Sequence, residues 1–155
     1  MLRITKTTDY GIILLTQLAE APEAVFSAAE LAADAHIPPP MASKILKHLT
    51  REGILESRRG AKGGYVLACP AESISVARII DALEGPFALT ECIALGPGGC
   101  EQEPVCPTRT NWHRINGAVY TALSHITLAE MCRPLSNEAL GMRRQRHTQP
   151  IELLA

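Results

Sequence analysis

The sequence predicts a mainly α-helical protein with one small β-hairpin, arranged as a winged helix-turn-helix followed by a long dimerisation helix. Three observations support this fold class: helical spacing of apolar residues early in the chain, two strand-like runs around a basic glycine-rich turn, and a late apolar seam. We assign the winged helix-turn-helix to residues 1–85, a cysteine-rich loop to 86–106, the dimerisation helix to 107–133 and a disordered tail to 134–155.

Apolar spacing and capping residues predict the first two helices. The first covers residues 7–20, with Thr7 or Thr8 as its N-cap. The second begins at residues 27–30, Ser-Ala-Ala-Glu, which have the pattern of a capping box. A short turn then leads into a third helix, and two helices joined in this way are typical of a helix-turn-helix.

The third helix is the predicted recognition helix, the element that enters the major groove of DNA. It begins at Pro39 or Pro40 and ends at Gly53, and its first N–H groups are expected to bind a phosphate. Its inward stripe is predicted to be Met41, Ile45, Leu46 and Leu49, which leaves Ala42 on the outer face. The predicted DNA contacts on that outer face are Ser43, Lys44, Lys47 and His48.

Two short strands, at residues 54–57 and 65–68, are predicted to form the hairpin wing. The turn between them is basic and rich in glycine, which allows close approach to a phosphate backbone. Its predicted DNA-contacting residues are Arg58, Arg59, Lys62, Gly63 and Gly64.

Two further helices follow the wing. One starts at the N-cap Ser75 and closes at Gly85, and the other opens at Pro107. The latter carries an apolar seam with spacings of three and four residues, which suits packing against a second copy. The seam, our predicted dimer interface, comprises Trp112, Ile115, Val119, Ala122 and Ile126. A second capping box at 127–130 suggests that this helix breaks and restarts.

Charge is distributed unevenly along the chain. The net charge is −1, yet residues 44–62 contain six basic and two acidic residues. This local excess marks where double-stranded DNA would dock. The apolar runs are too short to cross a bilayer, no export signal precedes them, and catalytic sequence motifs are absent. We therefore expect a cytoplasmic protein that is not an enzyme, with no membrane partner and no small-molecule substrate.

Three of the five cysteines cluster in one loop. Cys92, Cys100 and Cys106 are separated by seven and five residues rich in glycine and proline. Three thiolates are soft ligands that suit an iron–sulfur cluster, Zn(II) or Cu(I), although the spacing is not that of a structural zinc knuckle. The position of Cys106 at a helix N-terminus favours its thiolate. Alternatively, the three residues are unrelated surface thiols.

These motifs together resemble a known family. Lys-Thr-Thr-Asp-Tyr-Gly at residues 6–11, the wing at 59–65, the three-cysteine loop and Ile-Thr-Leu-Ala-Glu at 126–130 occur in this order. The chain resembles the iron–sulfur-sensing winged-helix regulators, the family of IscR-type and nitric-oxide-sensing repressors, and most of all its SUF-system branch. The resemblance implies a homodimer that binds operator DNA and carries one [2Fe–2S] or [4Fe–4S] cluster per subunit.

One position departs from the family pattern. Arg109 occupies the place where IscR-type members have a histidine ligand, and a guanidinium cannot ligate iron. His113 is a poor substitute because it lies about 10 Å further along the helix than Cys106. Asp9 matches the position from which the nitric-oxide-sensing branch donates an aspartate across the dimer. The alternative for Asp9 is a simple first-turn carboxylate.

The functional prediction is a sequence-specific repressor of iron–sulfur cluster assembly genes that senses iron–sulfur status, oxidative or nitrosative stress. An alternative within regulators is a cluster-free thiol/disulfide switch or a zinc-dependent protein. An alternative of another class is a winged-helix module that contacts proteins and not DNA.

Overall fold

The computed structural model describes residues 3–60, 62–96 and 98–133. It confirms the predicted fold class: seven α-helices, two short 3₁₀ helices and one two-stranded antiparallel sheet are present in this part of the chain. The predicted tail at 134–155 lies outside the described residues. The helices are α1 (Lys6–Glu20), α2 (Ala28–Asp34), α3 (Pro39–Arg51), α4 (Val76–Glu84), α5 (Glu91–Ala94), α6 (Arg109–Ser124) and α7 (Leu128–Met131).

Helix α1 begins one residue earlier than predicted. Its N-cap is Thr5, whose side chain accepts a hydrogen bond from the N–H of Thr8 (3.3 Å), so the prediction of Thr7 or Thr8 as the cap was wrong. Thr8 is instead fully buried, and its hydroxyl donates to Glu84 of α4 (2.6 Å). Two further caps, Ser27 with its capping box and Ser75, are as predicted.

The core lies between α1, α2, α3 and α4, and Leu128 of α7 completes it. On α3 the buried residues are Ala42, Ile45, Leu46 and Leu49. Met41 is 37% exposed, so its predicted place in the inward stripe was wrong, as was the outward place of Ala42. Position 42 lies near the centre of the face formed by positions 45, 46 and 49, whereas position 41 lies at the edge of that face, where its larger side chain reaches solvent.

The wing consists of β1 (Leu55–Arg58) and β2 (Gly64–Leu67), paired antiparallel with Leu55 opposite Leu67. Each strand is shifted by one residue from its predicted position. An additional bridge joins Tyr65 to Phe26, which precedes α2, through two backbone hydrogen bonds of 2.8 and 3.3 Å. The hairpin is thereby fastened to the helix-turn-helix itself.

The predicted dimerisation helix is interrupted. Helix α6 begins at Arg109, two residues after Pro107, and ends at Ser124. The chain restarts as α7 through the predicted capping box, in which Glu130 accepts from the N–H of Thr127 (2.8 Å). The break pairs with the start of α4, and Leu128 is fully buried in the core. None of the helices in the described ranges is both long and apolar enough to span a membrane.

Candidate DNA-binding surface and cysteine segment

The recognition helix α3 presents a basic outer face. Lys44 and Lys47 are exposed, whereas Ser43 and His48 are half-buried, and the imidazole of His48 lies 3.9 Å from the carboxylate of Glu52. The predicted use of free N–H groups at the start of α3 was wrong. Prolines occupy the first two positions and have no N–H, and the N–H of Met41 donates to Pro38 (2.9 Å).

Met41 is an exposed residue of α3 that the sequence did not indicate as a candidate DNA contact. It is exposed in the first turn of α3, the part of a recognition helix that contacts base edges. An apolar side chain there can contact a thymine methyl group. The sequence signal for the exposure of Met41 was its small neighbour Ala42, which belongs to the buried stripe.

The wing exposes its cations because its glycines permit a tight return of the chain. Arg58, Arg59 and Lys62 are all exposed. Gly60 has a φ of +122°, a conformation that L side chains rarely adopt, and its carbonyl accepts from the N–H of Gly63 (2.9 Å). A Cβ on Gly64 would overlap the backbone carbonyl of Phe26. Glycine at position 64 is therefore required by the bridge that fastens the wing.

The three cysteines of the predicted cluster loop lie on segment 92–106 and are free, half-buried thiols. Cys92 lies on the short helix α5, with its sulfur 3.1 Å from the Thr90 hydroxyl, and Cys106 precedes α6. Within the described residues, no three His, Cys, Asp or Glu side chains are grouped closely enough to hold a metal ion. The donor types thus suit a cluster, but the single chain does not gather them.

Cys106 favours its thiolate form. Hydrogen bonding from the Thr108 hydroxyl, 3.5 Å away, lowers the pKa of Cys106, and the N–H groups of Thr108 and Arg109 and the charge of Arg109 act in the same direction. The thiolate is the form that ligates metals and attacks disulfides. This direction agrees with the prediction made from its place before a helix.

Arg109 is engaged within the cysteine segment. Its guanidinium forms an ion pair with Glu103, whose side chain is only 9% exposed. The other Glu103 oxygen accepts from the N–H of Gly98 (2.6 Å). His113 is exposed on α6 and Asp9 is exposed in the first turn of α1. Within the described residues, neither belongs to a group of three His, Cys, Asp or Glu side chains that could hold a metal ion.

Helix α6 has an exposed apolar face and a second face turned toward the rest of the molecule. Of the predicted seam, Trp112 (40%), Ile115 (45%) and Ile126 (40%) are exposed, as is Ala122. Val119 is the exception, because it is half-buried and lines a cavity of about 410 Å³ with Ile80 of α4. The exposed apolar side chains make a surface that water solvates poorly.

A polar junction joins α4, α6 and the start of the cysteine segment. Asp81 of α4 accepts from the Tyr120 hydroxyl (2.9 Å) and from the N–H of Phe87 (3.0 Å). Asn116 of α6 accepts from the N–H of Leu89 (3.0 Å) and donates to the Phe87 carbonyl (3.4 Å). The backbone just before Cys92 is thus hydrogen-bonded to both helices.

A recognition helix with exposed lysines beside a basic, glycine-rich hairpin defines the class of winged-helix DNA-binding transcriptional regulators. Comparison with protein families agrees with this class. The family model described as "Rrf2: Iron-dependent Transcriptional regulator" matches residues 4–134. The chain belongs to the Rrf2 family, whose members are transcriptional regulators and not enzymes.

Individual proteins show the same relationship. The chain is 34% identical over 136 residues to protein rrf2 of Nitratidesulfovibrio vulgaris, covering 87% of this chain and 90% of that protein. It is 31% identical to the transcriptional regulator IscR of Escherichia coli, covering 68% of this chain and 62% of that one. Its fold is similar to that of CymR, the global cysteine regulator of B. subtilis, at 29% identity and a TM-score of 0.67, covering 85% of this chain and 97% of that one.

Proposed function

We propose that this chain is a homodimeric, cytoplasmic repressor of iron–sulfur cluster assembly genes that senses iron–sulfur status, oxidative or nitrosative stress through a cysteine-ligated cluster. The observation that carries the proposal is the placement of three thiols on one segment, 92–106, linked to α4 and α6. The backbone just before it, at Phe87 and Leu89, is hydrogen-bonded to Asp81 and Asn116, and Glu103 within it forms an ion pair with Arg109 of α6. Because α4 packs against α3, movement of this segment has a route to the recognition helix.

In the proposed complex, the two recognition helices of the dimer enter major grooves at half-sites about one helical turn apart. The bases and phosphates are contacted by the outer face of α3, through Ser43, Lys44, Lys47 and His48. The wing neutralises the adjacent phosphates of the DNA backbone. Met41 adds an apolar contact. The proposal predicts a binding constant that falls steeply with salt, because each neutralised phosphate releases condensed cations.

A titration of fluorescent operator DNA at several salt concentrations tests the DNA contacts. Replacing Lys47 or Arg59 with alanine should reduce the slope of log K against log salt by about 1 each, whereas Arg114→Ala on α6 should leave it unchanged. Binding that is weak and insensitive to salt would favour a winged-helix module that contacts proteins.

The proposed cluster ligands are Cys92, Cys100 and Cys106, with Asp9 of the partner subunit as the fourth. The similarity to E. coli IscR and the iron-dependent description of the family support this assignment. A bound cluster, [2Fe–2S] or [4Fe–4S], supplies a centre that reacts with oxidants and nitric oxide. The chain's own residues provide the thiolates, and hydrogen bonds from Thr108 lower the pKa of the Cys106 thiol.

Anaerobic purification followed by absorption spectroscopy, native mass spectrometry and assays for iron and acid-labile sulfide tests the cluster. We expect a coloured dimer with stoichiometric sulfide, whose cluster is lost in Cys100→Ser and retained in the control Cys69→Ser. A colourless protein without sulfide, even after reconstitution, would overturn the cluster proposal and leave DNA binding intact.

Asp9→Ala and His113→Ala form a matched pair for the fourth ligand. Both side chains are exposed in the single chain, so neither change should disturb the fold. We expect Asp9→Ala to shorten cluster lifetime in air and His113→Ala to leave it unchanged. Equal lifetimes would remove Asp9 from the site.

We propose that the homodimer forms through the exposed part of the predicted seam, which comprises Trp112, Ile115 and Ala122 of α6 and Ile126 just beyond its end. Ile115→Glu places a charge in that apolar surface and should give a monomer in sedimentation equilibrium, with weaker operator binding. Arg114→Glu, the neighbouring exposed position, should remain dimeric. A dimer that survives Ile115→Glu would place the interface elsewhere.

A cluster-free regulator is the second candidate, either a zinc protein or a switch in which two cysteines of segment 92–106 form a reversible disulfide. Two observations favour it: the similarity to the cysteine regulator CymR and the separate placement of the thiols in the single chain. It predicts iron-free protein whose operator affinity changes on oxidation and is restored by a reductant.

A further inference from the structure

We propose that Glu103 and Arg109 form a clasp that positions the cysteine segment, so that Cys100 and Cys106 are held on one closed loop before any metal binds. This inference rests on the proposed role of these thiols as ligands, and it assigns positioning residues to that site. The clasp is defined by three groups: the Glu103 carboxylate, the Arg109 guanidinium and the N–H of Gly98.

The geometry of Glu103 distinguishes it from its neighbours. The loop 101–105 is exposed, with Val105 75% exposed, yet the Glu103 side chain is 9% exposed. A carboxylate removed from water in this way requires compensating partners. It has two: Gly98, five residues earlier, and Arg109, six residues later.

The contacts close the loop on both sides of the two thiols. Cys100 lies between Gly98 and Glu103, and its carbonyl accepts from the N–H of Glu103 (3.0 Å). Cys106 lies between Glu103 and Arg109. Because both ends are held by one carboxylate, the chain loses part of its conformational entropy before ligands are gathered. Metal binding then costs less ordering free energy than it would in an open loop.

The test uses the reduced, metal-free dimer titrated anaerobically with Cd²⁺, whose binding to thiolates is followed by ultraviolet charge-transfer absorption. We expect Glu103→Gln and Arg109→Met to weaken Cd²⁺ binding by about tenfold, the usual effect of removing an outer partner of a metal site. Arg109→Lys keeps a cation able to reach one carboxylate oxygen and should stay within about threefold of the wild type.

Glu101→Gln is the matched control, since Glu101 belongs to the same loop but its side chain is exposed. It should leave Cd²⁺ affinity unchanged. All four variants should keep the thermal midpoint within about 2 °C, because the ion pair is partly exposed and lies outside the core. Hydrogen exchange of the Gly98 amide should accelerate in Glu103→Gln and Arg109→Met alone.

Equal Cd²⁺ affinity of Glu103→Gln, Glu101→Gln and the wild type would overturn the clasp, whatever cofactor the protein carries. Conversely, wild-type protein that contains no iron or sulfide would overturn the cluster proposal. In that case, weaker Cd²⁺ binding by Glu103→Gln would still support the clasp. The two failures are therefore distinguishable.

Discussion

Thr8 is the one polar residue that is completely buried among the described residues, and its hydroxyl joins α1 to α4 by a hydrogen bond to Glu84. Burial raises the pKa of Glu84, but hydrogen bonds from the Thr8 hydroxyl and from Thr5 outweigh it, so the net pKa lies below the ordinary value of 4.5. The folded state thus favours the carboxylate. Its contribution to stability is present above the unfolded-state pKa and is lost as the pH falls through the lower folded-state value.

Thr8→Val removes the buried donor while keeping the shape of the side chain. We expect a loss of about 1–2 kcal/mol in the free energy of unfolding at pH 7, measured by urea denaturation. The difference from wild type should shrink as the pH falls through the lowered folded-state pKa of Glu84, because the carboxylate becomes protonated in both proteins. Thr16→Val in the same helix, whose hydroxyl bonds only to Ile13 of its own turn, should show little change at either pH.

Cysteine reactivity should differ along the chain. The pKa of Cys106 is lowered by Thr108 and Arg109, whereas burial and the charge of Glu20 raise the pKa of Cys132. In the metal-free protein at pH 7.5, Cys106 should react with iodoacetamide well before Cys132, as followed by peptide mass spectrometry. Faster labelling of Cys132 would contradict these environments, and Thr108→Val should slow Cys106 alone.

At the scale of elements, the wing depends on its attachment to the segment before α2. Gly64→Ala would drive a methyl group into the Phe26 carbonyl and break the bridge to Tyr65. We expect a loss of about 2 kcal/mol in stability and weaker operator binding. Gly117→Ala in α6 meets no atom within 4 Å of the new methyl group and should raise stability by about 0.5–1 kcal/mol. Equal effects of the two changes would refute the close approach at Gly64.

The recognition helix shows where pattern and packing diverge. Lys44 and Lys47 are exposed as predicted, because long charged side chains avoid burial. The mistake at Met41 and Ala42 arose because hydrophobicity alone does not decide which face of a helix is buried. The core accepts the small Ala42 close to its neighbours, and the larger Met41 remains outside.

At the scale of the whole molecule, the junction of Asp81, Asn116 and Tyr120 connects the cysteine segment to the helices behind α3. Rings of Phe87 and Tyr120 pack there with centroids 6.3 Å apart. If the proposed sensor acts through this junction, Asn116→Ala should reduce the ratio of operator affinities of cluster-loaded and cluster-free protein by about threefold. Fluorescence anisotropy under nitrogen measures both affinities.

The control is Ser124→Ala, which removes only a hydrogen bond within α6, to the Tyr120 carbonyl. It should leave the affinity ratio unchanged. An unchanged ratio in Asn116→Ala would show that signalling bypasses this junction.

The sequence by itself determined the local features of this protein, namely its helix caps and the turn of its wing. Ser27, Ser75 and Thr127 each cap the helix predicted for them, and the glycine-rich basic turn forms the predicted wing, because caps and turns depend on residues within a few positions.

Contacts between distant residues were decided by the tertiary structure. The bridge of Phe26 to Tyr65 joins residues 39 positions apart, and the hydrogen bond from Thr8 to Glu84 joins residues more than 70 positions apart. Leu128, near the end of the described residues, is buried in the core. The engagement of Arg109 by Glu103 likewise appears only once the loop has folded back. Such pairings depend on how whole helices pack against one another, and the spacing of residues within one segment of the sequence does not predict that packing.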